Sequence, residues 1–142
     1  GGRGDSNTPG RLPDLRTRRP PTDLVVTKFA LPNLPDFWKA AALTRMHEML
    51  RPGGRVYIHD VIFSFDPGDY EAALDKWIDE MITGTGWARE EFETHVNEEF
   101  STFDFVLEGL LESAGFTILH KNYWGNAYGA ITAERNWQDV GT

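Results

Sequence analysis

The hydrophobic pattern changes period along the chain, and the changes mark its elements. Residues 24–31, LVVTKFAL, form a short β-rich apolar run bounded by Pro32, which predicts a strand buried on both faces. From Asp36, a candidate N-cap, apolar residues recur at three- and four-residue steps through Trp38, Ala42, Leu43, Met46, Met49 and Leu50. That spacing predicts a helix with one apolar face, closed by Pro52-Gly53-Gly54. Val56 to Phe63 read as a second buried strand, and Asp66-Pro67 opens a helix with Tyr70, Ala73, Leu74, Trp77, Ile78, Met81 and Ile82 on one stripe. Gly84 and Gly86 break it.

An acidic helix from about Ala88 to Glu99 places Phe92, Val96 and Phe100 four apart, as a lid over its neighbours. Ser101 followed by Asp104 has capping-box spacing, and Phe103, Val106, Leu107, Leu110, Leu111 and Ala114 line the helix behind it up to Gly115. Phe116–Tyr123 and Tyr128–Arg135 are strands joined by Trp124-Gly125-Asn126-Ala127, a connection short enough for a hairpin. The order is strand, helix, strand, helices, then an antiparallel C-terminal hairpin, which is an α/β class. No internal repeat interrupts it.

Composition narrows the function. At 142 residues, 40% hydrophobic, the chain has material for one core. Residues 1–22, GGRGDSNTPGRLPDLRTRRPPT, hold five Arg, four Gly and four Pro, too little apolar surface to offset ordering entropy, and read as a disordered tail. The Arg3-Gly4-Asp5 tripeptide reads as chance within it. Residues 23–135 form the domain and 136–142 a second tail. The net charge of -8 divides into +3 for the first 22 residues and -11 for the rest, which argues against nucleic acid as a partner. Cysteine is absent and no apolar run reaches membrane-spanning length. The expected setting is cytoplasmic, with no membrane partner.

Chemistry concentrates where the second strand ends. In an open α/β sheet ligands bind beyond the carboxyl ends of the strands, so His59 and Asp60 are the candidate catalytic bases. Their ordinary alternative is to satisfy loop backbone or cap a helix. Phe63, Phe65, Trp124 and Tyr128 are candidate residues for an apolar ligand pocket, with core packing as the alternative. His47, His95 and His120 lie on separate elements without metal-ligand spacing, so no metal is expected.

Leu50-Arg51-Pro52-Gly53-Gly54 leading into a β-run, read with DLVVTKFALPNLPDFWKAA at 23–41, STFDFVLEGLLESAGF at 101–116 and Tyr128-Gly129-Ala130-Ile131-Thr132-Ala133, resembles the second half of class I S-adenosylmethionine-dependent methyltransferases. The resemblance implies a partial Rossmann-like methyltransferase fold, S-adenosylmethionine as cofactor and a small-molecule methyl acceptor. It also implies that Thr27, Lys28, Phe29 and Ala30 border the methionyl group, with Phe29 able to face the sulfonium. The family's glycine-rich loop and ribose-binding acid have no counterpart in residues 1–22, and Gly53-Gly54 follow a helix where an adenosine turn must open one. Where many relatives carry His-His, Pro32-Asn33 stands. Two readings follow: a methyltransferase-family protein incomplete as this chain, or a non-catalytic truncated remnant or interaction subunit. Under either, the unpaired edge of strand 24–31 is expected to favour self-association or pairing with a missing N-terminal half.

Overall fold

The structure is a computed structural model, and it describes residues 20–31 and 34–137. The first nineteen residues of the tail, Pro32-Asn33 and residues 138–142 lie outside that range.

The described elements run β1 (Thr22–Lys28), α1 (Asp36–Met49), β2 (Leu50–Phe63), a 3-10 turn (Pro67–Asp69), α2 (Tyr70–Thr85), α3 (Arg89–Glu98), β3 (Thr102–Phe103), α4 (Asp104–Ser113), β4 (Phe116–Trp124) and β5 (Tyr128–Arg135). Order along the sheet is β1-β2-β5-β4. β1 pairs parallel with β2, and β2-β5 and β5-β4 are antiparallel. This places β1 at an edge. The expected α/β order and C-terminal hairpin are both present.

Register makes β2 the spine. Its pairings Val25↔Val56 and Thr27↔Ile58 with β1, and Val56↔Ala133 and Ile58↔Ile131 with β5, align one apolar row across three strands. α1 and α4 cover that row with Leu43, Leu107 and Leu111, all nearly or fully buried. Truncating a side chain such as Leu43 to Ala there should cost about 2–5 kcal/mol, from lost burial plus the cavity left behind. A second cluster gathers Phe63, Trp77, Ile78, Phe92 and Ala127, joining α2 and α3 to the far end of β2 and the hairpin.

The first strand is not buried on both faces as its composition predicts. Leu24 is 56% and Val26 61% exposed, because no described helix covers the sheet face that they share with Tyr57. The same one-sided burial gives β2 alternation over 55–60, with Arg55 and Tyr57 exposed and Val56, Ile58 and Asp60 buried.

Four local boundaries differ from the pattern. Pro35 occupies the N-cap of α1 and Asp36 is its first residue. α1 stops at Met49, and Pro52-Gly53-Gly54 instead form an irregularity inside β2, where Gly53 has φ +81°. The pairing jumps there from Thr22↔Leu50 to Leu24↔Arg55. α2 runs through Gly84 and ends on Gly86, whose φ of 76° makes the left-handed cap that glycine allows. No capping box forms at Ser101: Thr102 and Phe103 extend to pair with Ile62 and Phe63, and Phe103 becomes the N-cap of α4.

The apolar stripe of α1 is also rotated from its expected position. Trp38 is 57% exposed, while Lys39 is 2% exposed beneath it. Lys39 holds the stripe position four residues before Leu43, and its ammonium donates to the Leu34 and Phe100 carbonyls, so its charge is met by backbone oxygens while its stem packs.

Candidate active site at the strand ends

β1 ends at Lys28, paired with His59, and the next backbone bond, Phe29 N–H to His59 O at 2.9 Å, is the last rung of the parallel ladder. Phe29 then turns into the left-handed region, φ 54°, a conformation that costs a non-glycine residue energy and marks strand-end sites worth inspection. The turn sets its ring against His59, with centroids 5.0 Å apart.

Aromatic neighbours extend the row. His59 lies 5.5 Å from Trp124, and Trp124 stacks on Tyr128 at 6.4 Å and 24°. The row crosses β1, β2 and the hairpin because His59 pairs with Lys28 on one side and Ala130 on the other, while Trp124 pairs with Tyr128. Phe29 and Trp124 are 48% and 42% exposed, so ring faces remain for a ligand.

Asp60 points the other way. It is 1% exposed, and its oxygens accept the N–H of Leu31 at 3.2 Å and of Val61 at 2.8 Å. Burial raises its pKa above the usual carboxylate value, opposed by these two hydrogen bonds and by the charges of Lys39 and His59. For Lys39 burial dominates and lowers the pKa, with Asp36 and Asp60 acting in the opposite direction. Asp60 thus ties the segment after Phe29 to β2.

The remaining predicted residues separate. Thr27 is buried, its hydroxyl without a hydrogen-bond partner among the described residues. Lys28 and Ala30 are exposed at the strand end. Phe63 and Phe65 pack with Phe103 and Trp77 in the second cluster. His59, Phe29, Trp124 and Tyr128 therefore come together, while Asp60, Phe63 and Phe65 lie elsewhere. Lys39 went unnoticed in the sequence; its signal was its place at Leu43 minus four, on the buried stripe.

Among the described residues, no three His, Asp or Glu side chains gather as a metal site, and no helix is long and apolar enough to cross a membrane.

No family model and no curated protein matches the sequence. Solved structures do match in three dimensions. Human N-acetylserotonin methyltransferase, in complex with SAM, is 18% identical over 89% of this chain and 33% of its own, with a TM-score of 0.56. An O-methyltransferase family 2 protein from Planctomyces limnophilus, in complex with apigenin, is 20% identical over 87% of this chain and 33% of its own, TM-score 0.58. The S-adenosylmethionine-dependent methyltransferase SibL gives 20%, 89%, 35% and 0.58. The chain spans about a third of the length of each. Over that third, the chain has the α/β fold of class I S-adenosylmethionine-dependent methyltransferases.

Proposed function

We propose that this chain forms the acceptor-side part of an S-adenosylmethionine-dependent methyltransferase acting on a small molecule in the cytoplasm. The observation that carries the reading is the Phe29–His59–Trp124 row at the carboxyl end of β1, where its parallel ladder with β2 stops while β2 itself runs on to Phe63; strand ends of this kind are where such sheets receive ligands.

Methyl transfer from a sulfonium is an in-line displacement: the acceptor atom forms a bond to the methyl carbon as the sulfur–carbon bond breaks. The protein mainly positions the two partners. Residues 27–30 would border the methionyl portion, and the electron-rich face of Phe29 would favour the sulfonium's positive charge. His59, beside that ring, would accept the proton of a hydroxyl or amine acceptor. Asp60 acts by fixing Leu31, a positioning role, and Trp124 and Tyr128 form the apolar side of the acceptor site.

S-adenosylmethionine carries the methyl group and the sulfonium leaving group. The residues present fit its methionyl end only. Among the described residues no strand passes through a glycine-rich loop into a helix: the 29–35 connection from β1 to α1 contains no glycine, and the 64–69 connection from β2 to α2 contains Gly68 alone. The groups that hold adenine and ribose would come from polypeptide paired along the free edge of β1 or from a second chain.

Photolabelling tests the assignment. Ultraviolet irradiation of the chain with methyl-labelled S-adenosylmethionine should mark the peptide containing residues 27–30, and Phe29→Ala should abolish the mark. Label spread over unrelated peptides would contradict the site, and so would equal labelling of the variant.

A further inference from the structure

A cavity of about 320 Å³ lies under α2 and α3, walled by Val61 of β2 and by Trp77, Met81, Trp87, Phe92 and Tyr128, with Glu91, His95 and Glu99 also on its lining. Its size is at the small end of the range for ligand sites, roughly 300–1,000 Å³. Trp77 meets Phe92 steeply, at 73° and 6.0 Å, while Trp87 leans on Phe92 at 30° and 5.6 Å, so the rings form two sides of a recess.

The polar groups dictate the ligand's charge. The Trp77 indole N–H donates to the Tyr128 hydroxyl at 3.3 Å, and that hydroxyl donates to the Met81 sulfur at 3.2 Å. Both donors are used inside the protein. His95 is held by the Ser101 hydroxyl at 3.0 Å and by the Glu99 carboxylate. The nearby guanidinium of Arg89 is engaged by Asp75, Asp79 and Glu93. Glu91 has no ion-pair partner among the described residues. What faces the cavity is therefore mainly π-surface and carboxylate oxygen; the Trp87 indole N–H has no hydrogen-bond partner among the described residues, but no Lys or Arg side chain lines the cavity to meet an anion.

We infer that this cavity binds a small organic cation, an alkyl- or methylammonium group, with the charge over the Trp77, Trp87 and Phe92 rings and beside Glu91. Aromatic walls attract such a cation through their ring quadrupoles, and the exposed Glu91 carboxylate beside them adds a charge of opposite sign. The cavity shares Tyr128 with the acceptor site proposed above, but nothing in the assignment requires the cofactor.

The probe is choline, compared with 3,3-dimethyl-1-butanol, its neutral carbon isostere, in calorimetric titrations without S-adenosylmethionine. Choline should bind saturably and ~tenfold or more tighter than the isostere. Glu91→Gln and Trp87→Ala, both at exposed positions, should each weaken choline by at least ~threefold with unchanged circular dichroism. Equal binding of the two probes would overturn the inference. So would absence of saturable choline binding, or variants that fold normally and bind choline as the parent does.

Discussion

The carboxylate of Asp60 accepts a hydrogen bond from the backbone N–H of Leu31, 29 residues earlier in the chain, at 3.2 Å in a buried position. This bond fixes the segment leaving β1 against β2, just beyond the left-handed turn at Phe29. Asp60→Ala leaves the N–H groups of Leu31 and Val61 without this acceptor; the buried Leu31 donor costs about 1–3 kcal/mol when orphaned, and the part-buried Val61 donor less. Denaturant unfolding should show that loss, while Asp60→Asn, which keeps one acceptor oxygen, should lose less. Equal stability of Asp60→Ala and the parent would remove the tie.

Protonation of His47 should set part of the acid sensitivity. Burial, and then the nearby Arg135 charge, lowers its pKa below the usual histidine value. The unfolded chain then binds the proton more readily, so stability rises with pH between the lowered folded pKa and about 6.5 and falls on acidification through that window. His47→Gln should flatten this part of the stability–pH curve measured by urea unfolding. An unchanged slope would show that His47 does not set it.

Gly129 sits where the hairpin has no room. A Cβ there would meet the Tyr123 ring at 2.5 Å and the Ile62 side chain at 3.0 Å. Tyr123 is itself held by its hydroxyl on Glu108 at 2.7 Å, so it yields poorly. Gly129→Ala should destabilise by about 1–3 kcal/mol through overpacking, read as a lowered thermal midpoint. A midpoint equal to the parent's would contradict the close approach.

The outer edge of β1, unpaired among the described residues, gives a solution prediction. Val26 is 61% exposed on the uncovered sheet face, so Val26→Lys should leave the fold intact while placing a charge beside an edge that invites strand pairing. Sedimentation at tens of micromolar, roughly where exposed edges associate, should show association by the parent and less by the variant. A monomeric parent would contradict the edge argument.

How much of this was legible in the sequence follows from what each pattern reports. Long amphipathic stripes such as Trp77-Ile78-Met81 and Leu107-Leu110-Leu111 fixed α2 and α4, because periodicity reports burial directly. The hairpin was legible from its two β-rich runs and short turn. Leu24 and Val26 misled, since an apolar strand reads as buried whether or not anything covers it. Lys39 was hidden because its burial depends on carbonyls of Leu34 and Phe100, the latter 61 residues away. His59 and Asp60 are neighbours on β2 and so face opposite ways, which a sequence pattern does not show. Only one of them can join the aromatic row. The cavity under α2 and α3 had no local signature, as its walls come from β2, α2, α3 and β5.

The central claim is that the end of β1, beside His59 of β2, holds the methionyl part of S-adenosylmethionine, while no glycine-rich strand-to-helix loop for adenine and ribose is present among the described residues. A titration of the isotope-labelled chain with S-adenosylmethionine, followed by backbone amide chemical shifts, tests it directly. The account predicts weak binding, no tighter than ~0.1 mM (about 5.5 kcal/mol), with shifts centred on Phe29, Ala30 and His59. Micromolar affinity, or shifts that leave those three residues unmoved at saturation, would contradict it.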